Sequence, residues 1–175
     1  DSLRIHCLTE LSRNYYKLDT FYSMFSALAT IEQGYYLARK KGNQSYSRAP
    51  FVTYAKLNKY SSNYDRALEI LFEYREIAKK NDLPYWETNA LEKIVSILDI
   101  IGEKKRADQY MDEHKKVALK MERGTEQAWA FNALGNHYKN RDLNDSALFY
   151  HNRSLAIRIE ENDSLGLAYS YNNIG

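Results

Sequence analysis

Residues 128–138 read AWAFNALGNHY, and this stretch decides the fold. Phe131, Leu134, Gly135 and Tyr138 stand at i, i+3, i+4 and i+7, a spacing that places side chains on one face of an amphipathic helix. The polar segment NRD then interrupts the pattern. A second stretch repeats the helical spacing with small and apolar residues, namely Ala147, Leu148, Tyr150, Ser154, Leu155 and Ile157. The sequence therefore predicts two amphipathic helices joined by a short turn.

The alanine of the second helix recurs along the chain. A constant interval of 40 residues separates four alanines, Ala27, Ala67, Ala107 and Ala147. The same interval separates Leu134 from Ile174. A regular interval of this length indicates a repeat array, in which each helix hairpin buries its apolar face against the next hairpin. Small residues such as Gly135 and the four alanines permit the close approach of helices where they cross.

The segment from Phe131 to His151 resembles a tetratricopeptide repeat (TPR), whose pattern is aromatic-x2-Leu-Gly-x2-Tyr and then Ala-x3-aromatic. Five residues match this pattern: Phe131, Leu134, Gly135, Tyr138 and Ala147. His151 stands where an aromatic residue is usual. The resemblance implies an all-α fold, an α-α superhelix or solenoid of stacked antiparallel helix hairpins.

The resemblance is close over residues 48–175 and loose over residues 1–47. It implies a single TPR-like solenoid over residues 1–175, with a degenerate repeat at about 8–47, repeats at 48–87, 88–127 and 128–167, and a truncated repeat at 168–175. The usual TPR period is about 34 residues. The longer period found here adds about 9 Å of helix to each hairpin, since an α-helix rises about 1.5 Å per residue.

Periodicity and turn residues together predict the helix positions. Helices are expected at 3–18, 20–41, 48–60, 64–80, 84–101, 104–122, 126–140, 143–160 and 165–175. Pro50 and Pro84 are expected at helix starts, where a missing N–H has little effect. Four glycines are expected between helices: Gly42, Gly102, Gly124 and Gly166.

The composition argues against several classes of function. The 25 Lys and Arg residues against 23 Asp and Glu residues give a net charge of +2, which is too balanced for a nucleic-acid or anionic membrane surface. The single cysteine, Cys7, rules out an internal disulfide framework and a multi-cysteine metal site. No segment approaches the roughly 20 apolar residues of a membrane helix. We therefore expect no nucleic-acid partner and no membrane contact by this segment.

The sequence contains no recognisable catalytic or metal-binding motif. The four histidines are His6, His114, His137 and His151, and no two of them stand at i, i+4. Neither a nucleophile elbow nor a phosphate-binding glycine loop is present. The sequence therefore predicts an interaction protein rather than an enzyme, with no catalytic residue, metal or cofactor.

In TPR arrays the first helix of each repeat lines a concave groove, and the resemblance implies the same role here. The residues expected to contact a ligand are Lys56, Glu92, Trp129, Asn132, Asn136, Lys139, Tyr169 and Asn172. An asparagine amide donates and accepts at once, which suits an extended peptide backbone. The alternative is that the asparagines bond to the neighbouring repeat and are structural. Glu92 would repel a carboxylate, so a clamp for C-terminal chaperone tails is not expected.

Long repeats with a phrase such as SYNNIG, at residues 170–175, resemble those of bacterial signalling proteins. We therefore expect a protein- or peptide-binding sensor or interaction module of a bacterial signal-transduction protein. A periplasmic segment of a membrane-anchored protein is suspected, and the cytoplasm is the alternative compartment. A free-standing scaffold or assembly factor and a peptide-responsive cytoplasmic regulator are the alternative functions. Tyr171 and Ile174 have no second helix to cover them in this pattern, which predicts an end-to-end homodimer.

Overall fold

The computed structural model describes residues 2–18, 21–41 and 44–174, and within these ranges the chain forms nine α-helices and no β-strand. The helices are α1 (Ser2–Lys17), α2 (Phe21–Lys41), α3 (Gln44–Tyr60), α4 (Tyr64–Lys80), α5 (Pro84–Ile100), α6 (Lys104–Lys120), α7 (Thr125–Lys139), α8 (Asn144–Glu160) and α9 (Ser164–Ile174). The predicted all-α fold class is confirmed. None of the described helices is both long and apolar enough to cross a membrane.

The turns within three hairpins, α3–α4, α5–α6 and α7–α8, repeat one backbone conformation every 40 residues. Ser62, Gly102 and Asp142 have positive φ angles of 59°, 82° and 59°. The N–H of the following residue donates to a carbonyl five positions back, in the pairs Asn63 to Asn58 (2.8 Å), Glu103 to Leu98 (2.9 Å) and Leu143 to Tyr138 (3.0 Å). This is the Schellman ending of a helix, which satisfies carbonyls that the last turn leaves without partners.

The recurring alanines occupy equivalent places. Ala67, Ala107 and Ala147 are each the fourth residue of their helix, and each N–H donates to the carbonyl just before that helix at 3.0 to 3.1 Å. All three side chains are buried, and so is that of Ala27 in α2. The 40-residue period of the sequence is therefore also a period of the structure.

Contacts divide the chain into two compact units, an N-terminal unit (Asp1–Ile77) and a C-terminal unit (Ala78–Gly175). In the N-terminal unit α1 packs against α2, and α3 packs against both. Its buried core contains Ile5, Ala27, Ile31, Tyr35, Phe51, Tyr54, Leu57, Ala67, Leu71 and Tyr74. The division of residues 1–175 into one solenoid with the stated repeat boundaries stays a prediction.

In the C-terminal unit α5 packs against α6, α7 against α8, and α8 against α9, while α7 also contacts α5 and α6. The buried side chains include Leu91, Ile94, Val95, Leu98, Ala107, Met111, Ala118, Phe131, Leu134, Ala147 and Ile157. Tyr138, the last residue of the TPR pattern in α7, stacks on Tyr150 with ring centroids 5.3 Å apart. The repeat positions chosen from the sequence thus form the contacts between helices.

The expected role of Pro84 is correct and that of Pro50 is wrong. Pro84 opens α5. Pro50 instead lies inside α3, which begins at Gln44. Proline cannot donate a backbone hydrogen bond within a helix. Pro50 is nevertheless buried, as is Phe51 beside it, and we attribute the survival of the helix to this packing.

Two of the glycines separate helices as expected, and one does not. Gly102 lies between α5 and α6, and Gly124 directly precedes α7. Gly166 lies inside the first turn of α9, so its expected position between helices is wrong. A Cβ at this position would collide with the carboxylate of Asp163 and come within 2.7 Å of the Arg158 side chain, so glycine here provides space for both side chains rather than a break. The expected break at Gly42 lies outside the described residues.

Candidate functional site

Two adjoining cavities lie on the C-terminal unit. The first, called here the aromatic cavity, has a volume of about 380 Å³ and is lined by Tyr85, Thr88, Asn89, Glu92, His114, Trp129, Ala130, Asn132, Ala133, Asn136, Tyr169 and Asn173. The second, called here the ionic cavity, has a volume of about 960 Å³ and is lined by Glu92, Ser96, Asp99, Ile100, Lys104, Asp108, Ala133, Asn136, His137, Asn140, Arg141, Asp142 and Leu143. Glu92, Ala133 and Asn136 belong to both, so the two cavities form one strip along α5 and α7.

The aromatic rings of the first cavity are held in place by a buried arginine. Trp129 and Tyr169 meet edge to face with ring centroids 5.5 Å apart. The guanidinium carbon of Arg158 lies 4.4 Å from the centroid of the Trp129 ring. Arg158 itself is fully buried and donates to Gly166 O at 2.6 Å and to Ser170 Oγ at 2.7 Å. A cation over an indole face is favourable, so these contacts fix the orientation of Trp129.

The three predicted asparagines lie in different surroundings. Asn136 is exposed and lines both cavities. Asn132 is buried, and its Oδ1 accepts a hydrogen bond of 2.8 Å from Nδ2 of Asn173. Asn172 is exposed and lines neither cavity. The side chain that faces Asn132 is therefore that of Asn173, which the sequence reasoning missed. The spacing from Tyr169 was the available signal, because residues four apart share a helix face.

The other predicted contact residues are placed as follows. Glu92, Trp129 and Tyr169 line the aromatic cavity, whereas the exposed Lys139 lines neither cavity. Lys56 belongs to the N-terminal unit. Its ammonium nitrogen lies 5.7 Å and 5.5 Å from the ring centroids of Tyr16 and Tyr60, which stack 5.3 Å apart.

Several polar atoms around the aromatic cavity have no hydrogen-bond partner within the described protein. Asn89 Oδ1 is buried without a donor. His114 is fully buried, and neither of its ring nitrogens is bonded. Burial, together with the nearby His137, lowers the pKa of His114 to about 3, so the imidazole is neutral at pH 7. The sequence reasoning did not select His114, because periodicity does not reveal which polar residue of α6 is buried.

The ionic cavity is organised around Arg141. Its Nη2 lies 2.7 Å from Asp99 Oδ1, and its Nη1 forms a second ion pair with Asp108. His137 is buried beside this network, with its ring centroid 6.1 Å from that of His114. Burial lowers the pKa of His137, an effect that the charges of Glu92 and Asp99 oppose. In the described part of the chain, no three His, Cys, Asp or Glu side chains are grouped so that they could hold a metal ion.

Comparisons with known proteins support the fold. No protein-family model and no curated protein sequence matches the chain. Solved structures do match. The apo form of RapI superposes with a TM-score of 0.67 and 17% identity over 93% of this chain. BtubC (BKLC) from P. vanneervenii superposes with a TM-score of 0.61 and 17% identity, over 98% of this chain and 80% of its own. A putative kinesin light chain with nearly identical TPR-like repeats, from Podosopora anserina, superposes with a TM-score of 0.67 and 15% identity. The match covers 99% of this chain and 85% of that chain.

The chain spans 58% of the length of RapI. At 15–17% identity these likenesses show the fold. The chain is thus an all-α helical repeat protein of the TPR-like fold, and the resemblance found in the sequence is confirmed at that level.

Proposed function

We propose that this chain is a protein-interaction domain that binds an extended peptide or protein segment along the strip formed by the aromatic and ionic cavities. The observation that carries this proposal is the continuity of the two cavities through Glu92, Ala133 and Asn136. The strip follows α5 from Tyr85 to Ile100, which corresponds to about 22 Å of helix at about 1.5 Å per residue. An extended peptide of about six to seven residues has this length.

The polar side chains of the strip suit a peptide backbone. Asn136 is exposed at the junction of the two cavities and offers both a donor and an acceptor. Trp129 and Tyr169 add apolar surface at one end, and aromatic side chains often carry much of the energy of an interface. For Asn132, in contrast, the bond to Asn173 supports the structural alternative.

We propose a binding role without catalysis. The hydroxyl of Thr88 donates to the carbonyl of Tyr85 at 3.0 Å, so it is engaged by the backbone of its own helix. Burial lowers the pKa of His114 to about 3, far from the value near 7 that suits a general acid or base at neutral pH. Repeat arrays also use their extended concave surfaces for binding.

We further propose that the domain serves as a sensor or interaction module of a bacterial signal-transduction protein. The strip joins α5 and α7, the first helices of two successive hairpins, with α9, so an occupant contacts several repeats at once. A ligand that prefers one arrangement of these hairpins shifts the population towards it. A scaffold would bind without such a shift, and small-angle X-ray scattering with and without ligand distinguishes the two roles.

We also propose that α9 contributes a self-association surface. Leu165 and Tyr171 of this helix expose 68% and 60% of their surfaces and line neither cavity. Two large apolar side chains exposed on one short helix favour contact with a partner, and a second copy of the chain satisfies this need by pairing α9 with α9.

The peptide-binding proposal is tested with a peptide selected from a random library displayed on phage. We expect Asn136→Ala to weaken binding of the selected peptide about tenfold, as a lost buried hydrogen bond does, while the melting temperature stays within a few degrees. Asn152→Ala is the matched control, because Asn152 is exposed on α8 and lines neither cavity. Equal affinities of the two variants would overturn the proposal.

A further inference from the structure

We infer that the aromatic cavity receives a cationic group rich in hydrogen-bond donors, an ammonium or a guanidinium, from the bound segment. This inference rests on the proposed peptide-binding function and names the chemistry that one end of the strip recognises. A basic side chain and a free peptide N-terminus share this chemistry, and the experiment below separates them.

The aromatic cavity contains acceptors that lack a donor. Asn89 Oδ1 is buried and has no donor. His114 is also without partners, and its neutral imidazole presents one acceptor nitrogen and one N–H donor. Glu92 stands three residues after Asn89 on the same face of α5 and adds a carboxylate. A buried acceptor without a donor is unfavourable, so a group that brings several N–H donors gains the most from this cavity.

The lining of the aromatic cavity carries a negative charge. The twelve residues that line the aromatic cavity include one carboxylate, Glu92, and no lysine or arginine. The ammonium of Lys93 lies 3.4 Å from Glu92 Oε2, at the long end of a hydrogen bond, and both side chains are partly exposed. This exposed pair is a weak one and leaves Glu92 able to exchange partners. The cavity therefore attracts a cation and repels a carboxylate.

Two arginines next to the cavity already have acidic partners. Arg158 contacts Trp129 but does not line the cavity, and Asp163 lies 3.8 Å from its Nε. In the ionic cavity, Arg141 is paired with both Asp99 and Asp108. Among the described residues that line the aromatic cavity, Glu92 is thus the carboxylate available beside the unsatisfied acceptors.

Aromatic side chains form part of the lining of the cavity. Tyr85, Trp129 and Tyr169 surround the polar atoms with aromatic surface. Lysine and arginine bury an apolar stem while their charged ends seek acceptors, and cations are attracted to aromatic faces. A volume of about 380 Å³ accommodates such a side chain or the first residue of a peptide.

Four heptapeptides with one neutral backbone test the inference. Three are acetylated at the N-terminus and amidated at the C-terminus, and they carry lysine, arginine or norleucine at the central position. The fourth carries norleucine and a free N-terminal amine. Binding is followed by two-dimensional 1H–15N NMR on the whole chain, up to about 10 mM peptide, so that weak affinities are measured. The proteins are the unmodified chain, Glu92→Gln, Asn136→Ala, and Glu122→Gln, whose exposed residue lies outside both cavities.

We expect at least one charged peptide to bind about tenfold more tightly than the acetylated norleucine peptide, as charge-assisted hydrogen bonds allow. Glu92→Gln should remove this advantage, and Glu122→Gln should retain it. Preference for lysine or arginine identifies a side chain as the source, and preference for the free amine identifies the N-terminus. Equal binding of charged and neutral peptides that Asn136→Ala weakens would overturn the cation inference alone. Absence of binding by all four peptides would overturn it together with the peptide-binding proposal.

Discussion

The imidazole of His151 occupies the space into which a side chain at Gly135 would project. A Cβ built on Gly135 would lie 2.5 Å from Cε1 and 2.6 Å from Nδ1 of His151, closer than atoms can approach. The histidine stands where the TPR pattern usually has an aromatic residue, and its ring is buried against the glycine. The pair therefore holds α7 against α8, and the identity of each residue depends on the other.

We expect Gly135→Ala to destabilise the protein by about 1–2 kcal/mol. Overpacking at a buried contact costs roughly 1–3 kcal/mol, and the higher helix propensity of alanine returns up to about 1 kcal/mol. Urea denaturation followed by circular dichroism measures the change. In a His151→Ala background the same Gly135→Ala change should be neutral or stabilising, because the obstructing ring is gone. Equal losses in both backgrounds would show that the glycine is needed for another reason.

A second prediction concerns pH and His114. Burial and the nearby His137 lower the pKa of His114 from its ordinary value near 6.5 to about 3. Between these two pH values the unfolded chain binds a proton that the folded chain does not, so acidification favours unfolding. The free energy of unfolding should therefore fall as the pH is lowered from 7 towards 4, by up to about 1.4 kcal/mol per unit for one such group.

His114→Leu should reduce the slope of the unfolding free energy against pH by the amount that corresponds to about one bound proton. His137 contributes in the same direction, although Glu92 and Asp99 counteract its burial and Arg141 and Lys93 reinforce it. Denaturation curves at a series of pH values measure the slope. Identical slopes in the two proteins would contradict the assignment of the effect to His114.

The third prediction concerns Arg158, which connects α8 to α9. Its guanidinium donates to Gly166 O and Ser170 Oγ, and burial lowers its pKa despite the nearby Asp163. We expect Arg158→Met to leave α5–α7 folded and to increase hydrogen exchange of the α9 amides about tenfold or more, since hydrogen bonds to charged groups contribute roughly 1.5–3 kcal/mol. Arg153→Met is the control, because Arg153 is exposed on α8 and its guanidinium lies over the rings of Phe131 and Phe149 rather than against α9. Unchanged exchange in α9 would show that apolar packing alone holds the helix.

The fourth prediction concerns self-association through α9. The double substitution of Leu165→Ser and Tyr171→Ser should convert dimers at high concentration into monomers, because it removes exposed apolar surface. Multi-angle light scattering measures the mass. Phe25→Ser on α2 removes a side chain of comparable exposure, 70%, and should have no effect. If the unmodified chain is monomeric at every concentration, the proposal that α9 forms a self-association surface is contradicted.

The sequence predicted those parts of the fold that depend on local chemistry. Ala67, Ala107 and Ala147 are buried at equivalent places because each hairpin repeats the same crossing of helices. The errors arose where tertiary contacts override local preferences. Pro50 lies within a helix, where burial offsets the lost hydrogen bond. Gly166 provides space for Asp163, three residues earlier, and for the side chain of Arg158, eight residues earlier, and no local pattern reveals the contact with Arg158.

The candidate site was predictable to a similar extent. Glu92, Trp129, Asn136 and Tyr169 line the cavities because helical periodicity places them on one face. His114 was missed because its burial depends on how closely the neighbouring helices pack against α6. Periodicity identifies the face of a helix on which a residue lies, but not how deeply its side chain is buried. These outcomes concern position; their roles in ligand binding stay predictions.

The last prediction separates Asn172 from Asn173, which share a residue type but not an environment. Asn173 donates to the buried Asn132, whereas Asn172 is exposed. Asn173→Ala should therefore reduce the free energy of unfolding by about 1 kcal/mol, because it leaves a buried acceptor with one partner fewer. Asn172→Ala should stay within about 0.5 kcal/mol of the unmodified chain, as exposed substitutions do. Urea denaturation of the two variants decides between them. The 40-residue period relates Asn132 to Asn172 rather than to Asn173. A larger loss of unfolding free energy for Asn172→Ala than for Asn173→Ala would therefore indicate that Asn172 is the residue that contacts Asn132.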